Sequence, residues 1–167
     1  MKKAFYILLG VLATLVVVFF LGPKPAAPNY SDKLPEITLD LGALEDSIHS
    51  FELNAGALEC AYTEILWADS VRQTEYVFMY LHGFSATKHE GDTLRYMLPK
   101  RYEMNALFNR MAGHGLDEED ALRMSGFTAE DAWNKALYDF ALAKKMGKKV
   151  IIGSCSTGSL LALRLAA

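Results

Sequence analysis

"IIGSCSTGSLLALRLAA", Ile151 to Ala167, decides how the rest of the chain is read. An apolar strand runs into a knot of small polar residues and then into an apolar stretch of helical character. Centred on Ser156, the positions two before and two after are Ser154 and Gly158, both small, and Ser159 is small as well. A serine hydroxyl at its ordinary pKa is a weak nucleophile, so a catalytic serine has to be exposed and close to a base. A tight strand-to-helix turn lifts it above the sheet edge, and small flanking residues keep the bend uncrowded. The helix that begins here aims its free N–H groups at the same spot, which favours a developing oxyanion. Cys155 is the rival nucleophile, with Gly153 and Thr157 at the matching offsets; the β-branched Thr157 favours Ser156. The plain alternative is a turn rich in small residues with no chemistry.

Outward from this corner the chain alternates strands and helices. "EYVFMYLHG" (Glu75 to Gly83) contains a continuous apolar run, Val77 to Leu81, which suits a strand covered on both faces of a parallel sheet. "MNALFNRMAGHG" (Met104 to Gly115) repeats the pattern, a short apolar strand followed by glycines, and "KKVIIG" supplies a third buried strand. "AYTEILWAD" (Ala61 to Asp69) has the composition of an outer strand. Between them, "DTLRYMLPKRYE" predicts a helix broken near Pro99, and "LDEEDALRMSGF" an acidic loop or short helix. The clearest helix is "TAEDAWNKALYDFALAKKMG", with Thr128 as cap, Asp131 three residues on, and an apolar face through Trp133, Ala136, Leu137, Phe140 and Ala141. Lys144 and Lys145 suit its last turn and Gly147 its close. "DLGALEDSIHSFEL" predicts a short amphipathic helix behind an Asp40 cap. The fold class is therefore α/β, with a mainly parallel sheet and flanking helices.

"LHGFSAT" (Leu81 to Thr87) is the second piece of chemistry. Acyl transfer needs two backbone N–H donors aimed at one carbonyl oxygen. Thr157, next to the serine, is placed to give one, and Phe84, just after His-Gly on an earlier parallel strand, to give the other. Gly83 lets that loop turn and approach closely. His82 reads as a histidine bracing the loop rather than as the general base, because it precedes the serine in the chain.

"YLHGFSAT", "MAGHG" and "GSCSTGSLLAL", in that order and spacing, resemble the α/β-hydrolase superfamily, in particular bacterial serine hydrolases related to lipases, esterases and serine aminopeptidases. The resemblance covers about Ala61 to Ala167. It implies Ser156 as nucleophile and the N–H groups of Phe84 and Thr157 as oxyanion hole. His82, Gly83, His114, Ser154 and Gly158 shape the site without doing chemistry, and neither metal nor cofactor is implied. The usual G-x-S-x-G appears here as S-x-S-x-G, with Ser154 in the first glycine's place. The implied activity is hydrolysis of carboxylic esters, or of amides and peptides, through an acyl-enzyme.

The N-terminus carries a different signal. After Met1, Lys2 and Lys3, the run Ala4 to Gly22 holds no charge. As a helix its residues span roughly 28 Å, enough to cross a bilayer's hydrocarbon core. Its length favours a retained anchor over a cleaved signal peptide; with the two lysines on the cytoplasmic side, the remainder is expected to be extracytoplasmic, or secreted if cleavage occurs. Residues 1–22 are thus an anchor and 23–38 a linker, since Pro23 to Glu36 holds four of the five prolines; the domain occupies 39–167. The membrane and an acyl substrate are the expected partners. A net charge of −3 without a basic stripe beyond the N-terminus argues against nucleic acid. Cys60 and Cys155 lack metal-ligand spacing and admit at most one bridge.

The resemblance also requires an acid and then a histidine after the nucleophile. Eleven residues follow Ser156, and none is Asp, Glu or His. His49, His82, His89 and His114 all precede it and read as surface or bracing residues. The expectation is an incomplete hydrolase domain, cut after the nucleophile turn and inactive as it stands. A membrane-anchored, non-catalytic binding protein with half of the fold is the competing reading.

Overall fold

A computed structural model describes residues 2–22, 24, 27–117 and 124–167. Four strands form one sheet: β1 Glu64–Leu66, β2 Thr74–Leu81, β3 Asn105–Phe108 and β4 Gly147–Ser154, in the spatial order β1-β3-β2-β4. β2 is flanked by parallel partners on both sides, with Met79 opposite Leu107 of β3 and Ile152 of β4. β1 closes one edge in antiparallel pairing, Ile65 opposite Leu107. The apolar run of β2 follows from this central place. Val77, Met79 and Leu81 enter a core with Leu44, Ile48, Leu107, Leu142 and Met146, whereas Phe78 and Tyr80 point the other way, to Met104, Ala106 and Phe108. Successive strand side chains alternate faces, so a strand buried on both must be apolar at every position.

Among the described residues five α-helices accompany the sheet: α1 Lys2–Leu21, α2 Leu44–Asn54, α3 Asp92–Tyr102, α4 Ala129–Met146 and α5 Thr157–Ala166. The Thr128 hydroxyl caps α4, accepting from the Asp131 N–H at 3.0 Å. Asp40 precedes a short 3₁₀ turn, Leu41–Ala43, that leads into α2, and its side chain makes no capping bond. Pro99 does not break α3, as the sequence led one to expect. The helix runs on to Tyr102, because a proline one turn from the end costs a single N–H, and the Glu103 and Met104 amides both close on the Pro99 carbonyl. Gly147 closes α4 as expected, its N–H donating to the Ala143 carbonyl. Its backbone is extended (φ −148°) and it begins β4 instead of forming a left-handed cap; its hydrogen side is needed because a Cβ there would lie 2.7 Å from Val77. Of the acidic stretch Leu116 to Phe127, residues 118–123 lie outside the described residues; Leu116 pairs with Ala57 in a single antiparallel bridge.

α1 is apolar all round, none of its residues is buried, and it is long enough to cross a membrane. Residues 27–38 contain no helix or strand, yet they lie on the domain, with Ile37 and Leu39 packed against its core. Among the described residues β4 has no neighbour on its outer side, and Ile151 there, with Leu160 and Leu163 of α5, is exposed. Cys60 and Cys155 are both free thiols.

Candidate active site

Three segments meet at the carboxyl ends of β2, β3 and β4, the edge where open parallel sheets hold their ligands. The first is the turn from β4 into α5. Ser156 sits on it with φ 45° and ψ −115° and an exposed side chain. L-residues rarely adopt such a conformation, and it persists only where the surroundings impose it. Here the Cys155 N–H donates to the Leu81 carbonyl at 3.1 Å, tying the bend to the end of β2. On the far side the Ser159 N–H donates to the Ser156 carbonyl at 2.9 Å, and the Ser154 hydroxyl donates to Ser159 Oγ at 3.1 Å. Gly158 is where α5 presses on β2; a Cβ there would lie 2.6 Å from the His82 carbonyl oxygen and closer still to that of Leu81.

The second segment is the loop after β2. Gly83 lies beside the corner, its absent Cβ leaving 3.4 Å to Ser156 Cβ. Ser85 follows with φ 60°, so the chain turns sharply just after Phe84. Among the described residues no hydrogen bond engages the N–H of Phe84 or of Thr157. The Phe84 ring is exposed and packs edge-on against His114 and Phe127.

The third segment, after β3, braces the loop through two histidines. His82 is fully buried; its Nε2 accepts from the Met111 N–H at 3.0 Å, so its Nδ1–H donates to the Gly83 carbonyl at 2.8 Å. His114 accepts the Ser85 N–H on Nε2 at 3.0 Å, leaving Nδ1–H for the Ala112 carbonyl at 2.9 Å. Burial drives both imidazoles below their ordinary range, His82 to about 4, against the opposing pull of the carbonyl each one donates to. Both rings are therefore neutral near pH 7, with both nitrogens occupied. Neither is free to take a proton from Ser156. His89 lies against Asp92 and the Cys60 carbonyl, and His49 on α2 stacks on Tyr62.

Two contributors carry no sequence signal. Glu90 accepts the Gly83 N–H on Oε2 at 2.8 Å and takes a long hydrogen bond from the Tyr80 hydroxyl at 3.4 Å, and its carboxylate acts on the Cys155 thiol. One carboxylate thus joins β2, the glycine loop and the serine corner. It holds the Cys155 thiol above its usual range, chiefly through hydrogen bonding, and burial followed by Glu90's charge pushes Tyr80 up to about 12. The other contributor is a buried pair, Glu52 of α2 and Arg110 after β3. Arg110 also donates to the His114 carbonyl at 2.9 Å, and Glu52 accepts the Thr63 hydroxyl at 2.6 Å, so α2 fixes the Gly113–Gly115 turn. Gly113 and Gly115 both have positive φ, and a side chain on Gly115 would overlap Ala61.

Cavities of about 260 Å³ beside Ser85–Thr87 and about 440 Å³ between Tyr80, Glu90 and Ser154 adjoin these segments. A larger one, about 610 Å³ between α2 and α4, is lined by none of the residues of the serine corner or the glycine loop. Among the described residues no cluster of His, Cys, Asp or Glu is arranged to hold a metal ion. The chain matches no protein-family model and no curated protein.

Proposed function

We propose that this chain carries the nucleophile and oxyanion-hole half of a membrane-anchored serine hydrolase of the α/β-hydrolase type. Ser156 attacks the carbonyl carbon of an ester, or of an amide or peptide, and the leaving group departs as the acyl-enzyme forms; water then releases the acid. The N–H groups of Phe84 and Thr157 receive the negative charge on the carbonyl oxygen. The observation that carries this reading is the backbone of Ser156. An exposed serine held at φ 45° between a parallel strand and a helix, next to a glycine loop, is a costly arrangement that a plain turn does not need. The reading takes the acid and the histidine of the triad from outside these 167 residues, since the ring nitrogens of His82, His89 and His114 are engaged elsewhere and His49 packs edge-on against Tyr62. The anchor places the domain on the extracytoplasmic side, by the positions of Lys2 and Lys3.

A fluorophosphonate probe tests the assignment on the chain itself, with added imidazole standing in for the missing base. Labelling is expected to rise with imidazole, to persist in Cys155→Ala and to vanish in Ser156→Ala. Labelling that survives Ser156→Ala would overturn the assignment.

A further inference from the structure

The segment that leaves α1 does not hang free before entering the domain. The Arg164 guanidinium of α5 lies over the rings of Tyr30, at 4.2 Å, and Trp133, at 4.5 Å, and pairs with Asp32 at 3.2 Å. The Trp133 indole N–H donates to the Ser31 carbonyl at 2.5 Å, and the Asn29 N–H to Glu130 Oε2 at 3.1 Å. Farther along, Lys145 donates to the Ile37 carbonyl at 3.0 Å. Residues 29–32 thus make four contacts of three kinds with two helices, a stacked cation, an ion pair and hydrogen bonds. Stacking an arginine between two aromatic rings is worth more than its exposed ion pair with Asp32.

This docking sets how far the domain stands from α1. Were the chain free until Leu39 enters the core, 17 residues after Gly22 would reach about 53 Å in the extended form that proline favours. With Asn29 fixed, seven residues remain, or about 22 Å. Ser156 lies eight residues from Arg164 along α5, about 12 Å away. The leash from the end of α1 to the candidate nucleophile is therefore the sum of these two lengths and the span of the Tyr30–Arg164 contact that joins them.

We infer that Asn29–Asp32 is a strap that holds the domain against the bilayer, with the Trp133 and Arg164 faces of α4 and α5 toward the lipid surface. The partner is the membrane surface itself, and the site beside Ser156 draws on acyl groups presented there. The strap rests on the anchor reading of α1, and its acyl consequence on the hydrolase reading.

The test places the full chain, with Cys155→Ala and a donor fluorophore on the exposed Cys60, in phosphatidylcholine–phosphatidylglycerol vesicles carrying an acceptor on a trace of headgroups. Flotation reports anchoring, and energy transfer reports distance. The parent chain is expected to float with strong transfer, and Arg164→Ala and Tyr30→Ala to float with transfer reduced by about half. Trypsin cleavage at Lys33 should accelerate several-fold in the same two variants, while circular dichroism stays unchanged. A chain that does not float overturns the anchor and the strap with it. A chain that floats with transfer and cleavage indifferent to both substitutions overturns the strap alone. Neither result bears on labelling of Ser156, so the hydrolase reading stands or falls separately.

Discussion

The Gly83 amide donates to Glu90 Oε2 at 2.8 Å, and the same carboxylate raises the thiol pKa of Cys155, the residue before the candidate nucleophile. Glu90 therefore connects the loop that carries one proposed oxyanion donor to the corner that carries the other. Its influence is readable at the thiol. A carboxylate that accepts the S–H bond favours the neutral thiol, so Cys155 titrates above the usual cysteine range. Removing that acceptor lowers the thiol pKa and raises the thiolate fraction at any pH below it. In a Cys60→Ser background, alkylation of Cys155 by iodoacetamide at pH 8.5 is expected to be about threefold faster in Glu90→Ala, with Glu90→Gln between the two. Rate against pH, followed by mass spectrometry, checks this. Superimposable profiles in all three chains would show that Glu90 does not reach the thiol.

His82 gives a pH dependence of stability. Its folded pKa, about 4, lies below the 6.5 of an unperturbed imidazole, because burial penalises the charged ring. Between those values the unfolded chain binds more protons than the native one, so stability falls as pH drops from 6.5 and levels off below 4. The loss amounts to about 3 kcal/mol at most. His114, shifted in the same direction, adds to it. Urea unfolding in detergent at pH 7.5 and pH 4.5 measures the slope, and His82→Gln should flatten it substantially. An equal slope in that variant would mean that other groups titrate.

Much of this arrangement is legible in the residues. The run Val77–Leu81 announces a central strand because burial on both faces leaves no polar position, and Thr128 with Asp131 announces the start of α4. The small residues about Ser156 and the glycine at 83 mark close approaches, since a side chain at 158 would strike the backbone of β2. What cannot be read is what depends on pairing across the fold. Asp139 looks like the polar side of α4, yet it is fully buried and held by Lys135 one turn before it, at 2.6 Å. Glu52 and Arg110 are 58 residues apart and look like surface charges until the fold joins them. Glu90 is one acid in a polar loop, with nothing local to indicate that it faces Gly83. Pro99 misleads because proline breaks helices in general but stands here one turn from the end of α3, where a single N–H is lost.

Gly158 tests the packing that positions the corner. A methyl group at this position has no space, because the carbonyls of Leu81, the last residue of the central strand, and of His82 just after it already touch the α5 backbone. Gly158→Ala is expected to lose about 3 kcal/mol or more, through overpacking rather than through any helix propensity, which favours alanine. Thermal melts of the chain in detergent report it. Gly126→Ala, at a site with open space, serves as the control and should change little.

Ser156 itself separates strain from chemistry. With φ at 45° and ψ at −115°, the residue pays for its Cβ, whereas glycine adopts such a backbone freely. Alanine keeps the Cβ and removes only the hydroxyl. Ser156→Gly should therefore melt higher than Ser156→Ala, with a difference of about 1 kcal/mol, since relief of strain outweighs the greater freedom that glycine gives the unfolded chain. Both substitutions are expected to abolish fluorophosphonate labelling. A side chain retained where glycine is more stable is what a functional serine implies, because only its hydroxyl justifies the strain. If the glycine variant proves no more stable than the alanine one, the corner is relaxed, and the strongest support for a nucleophile at this position is gone.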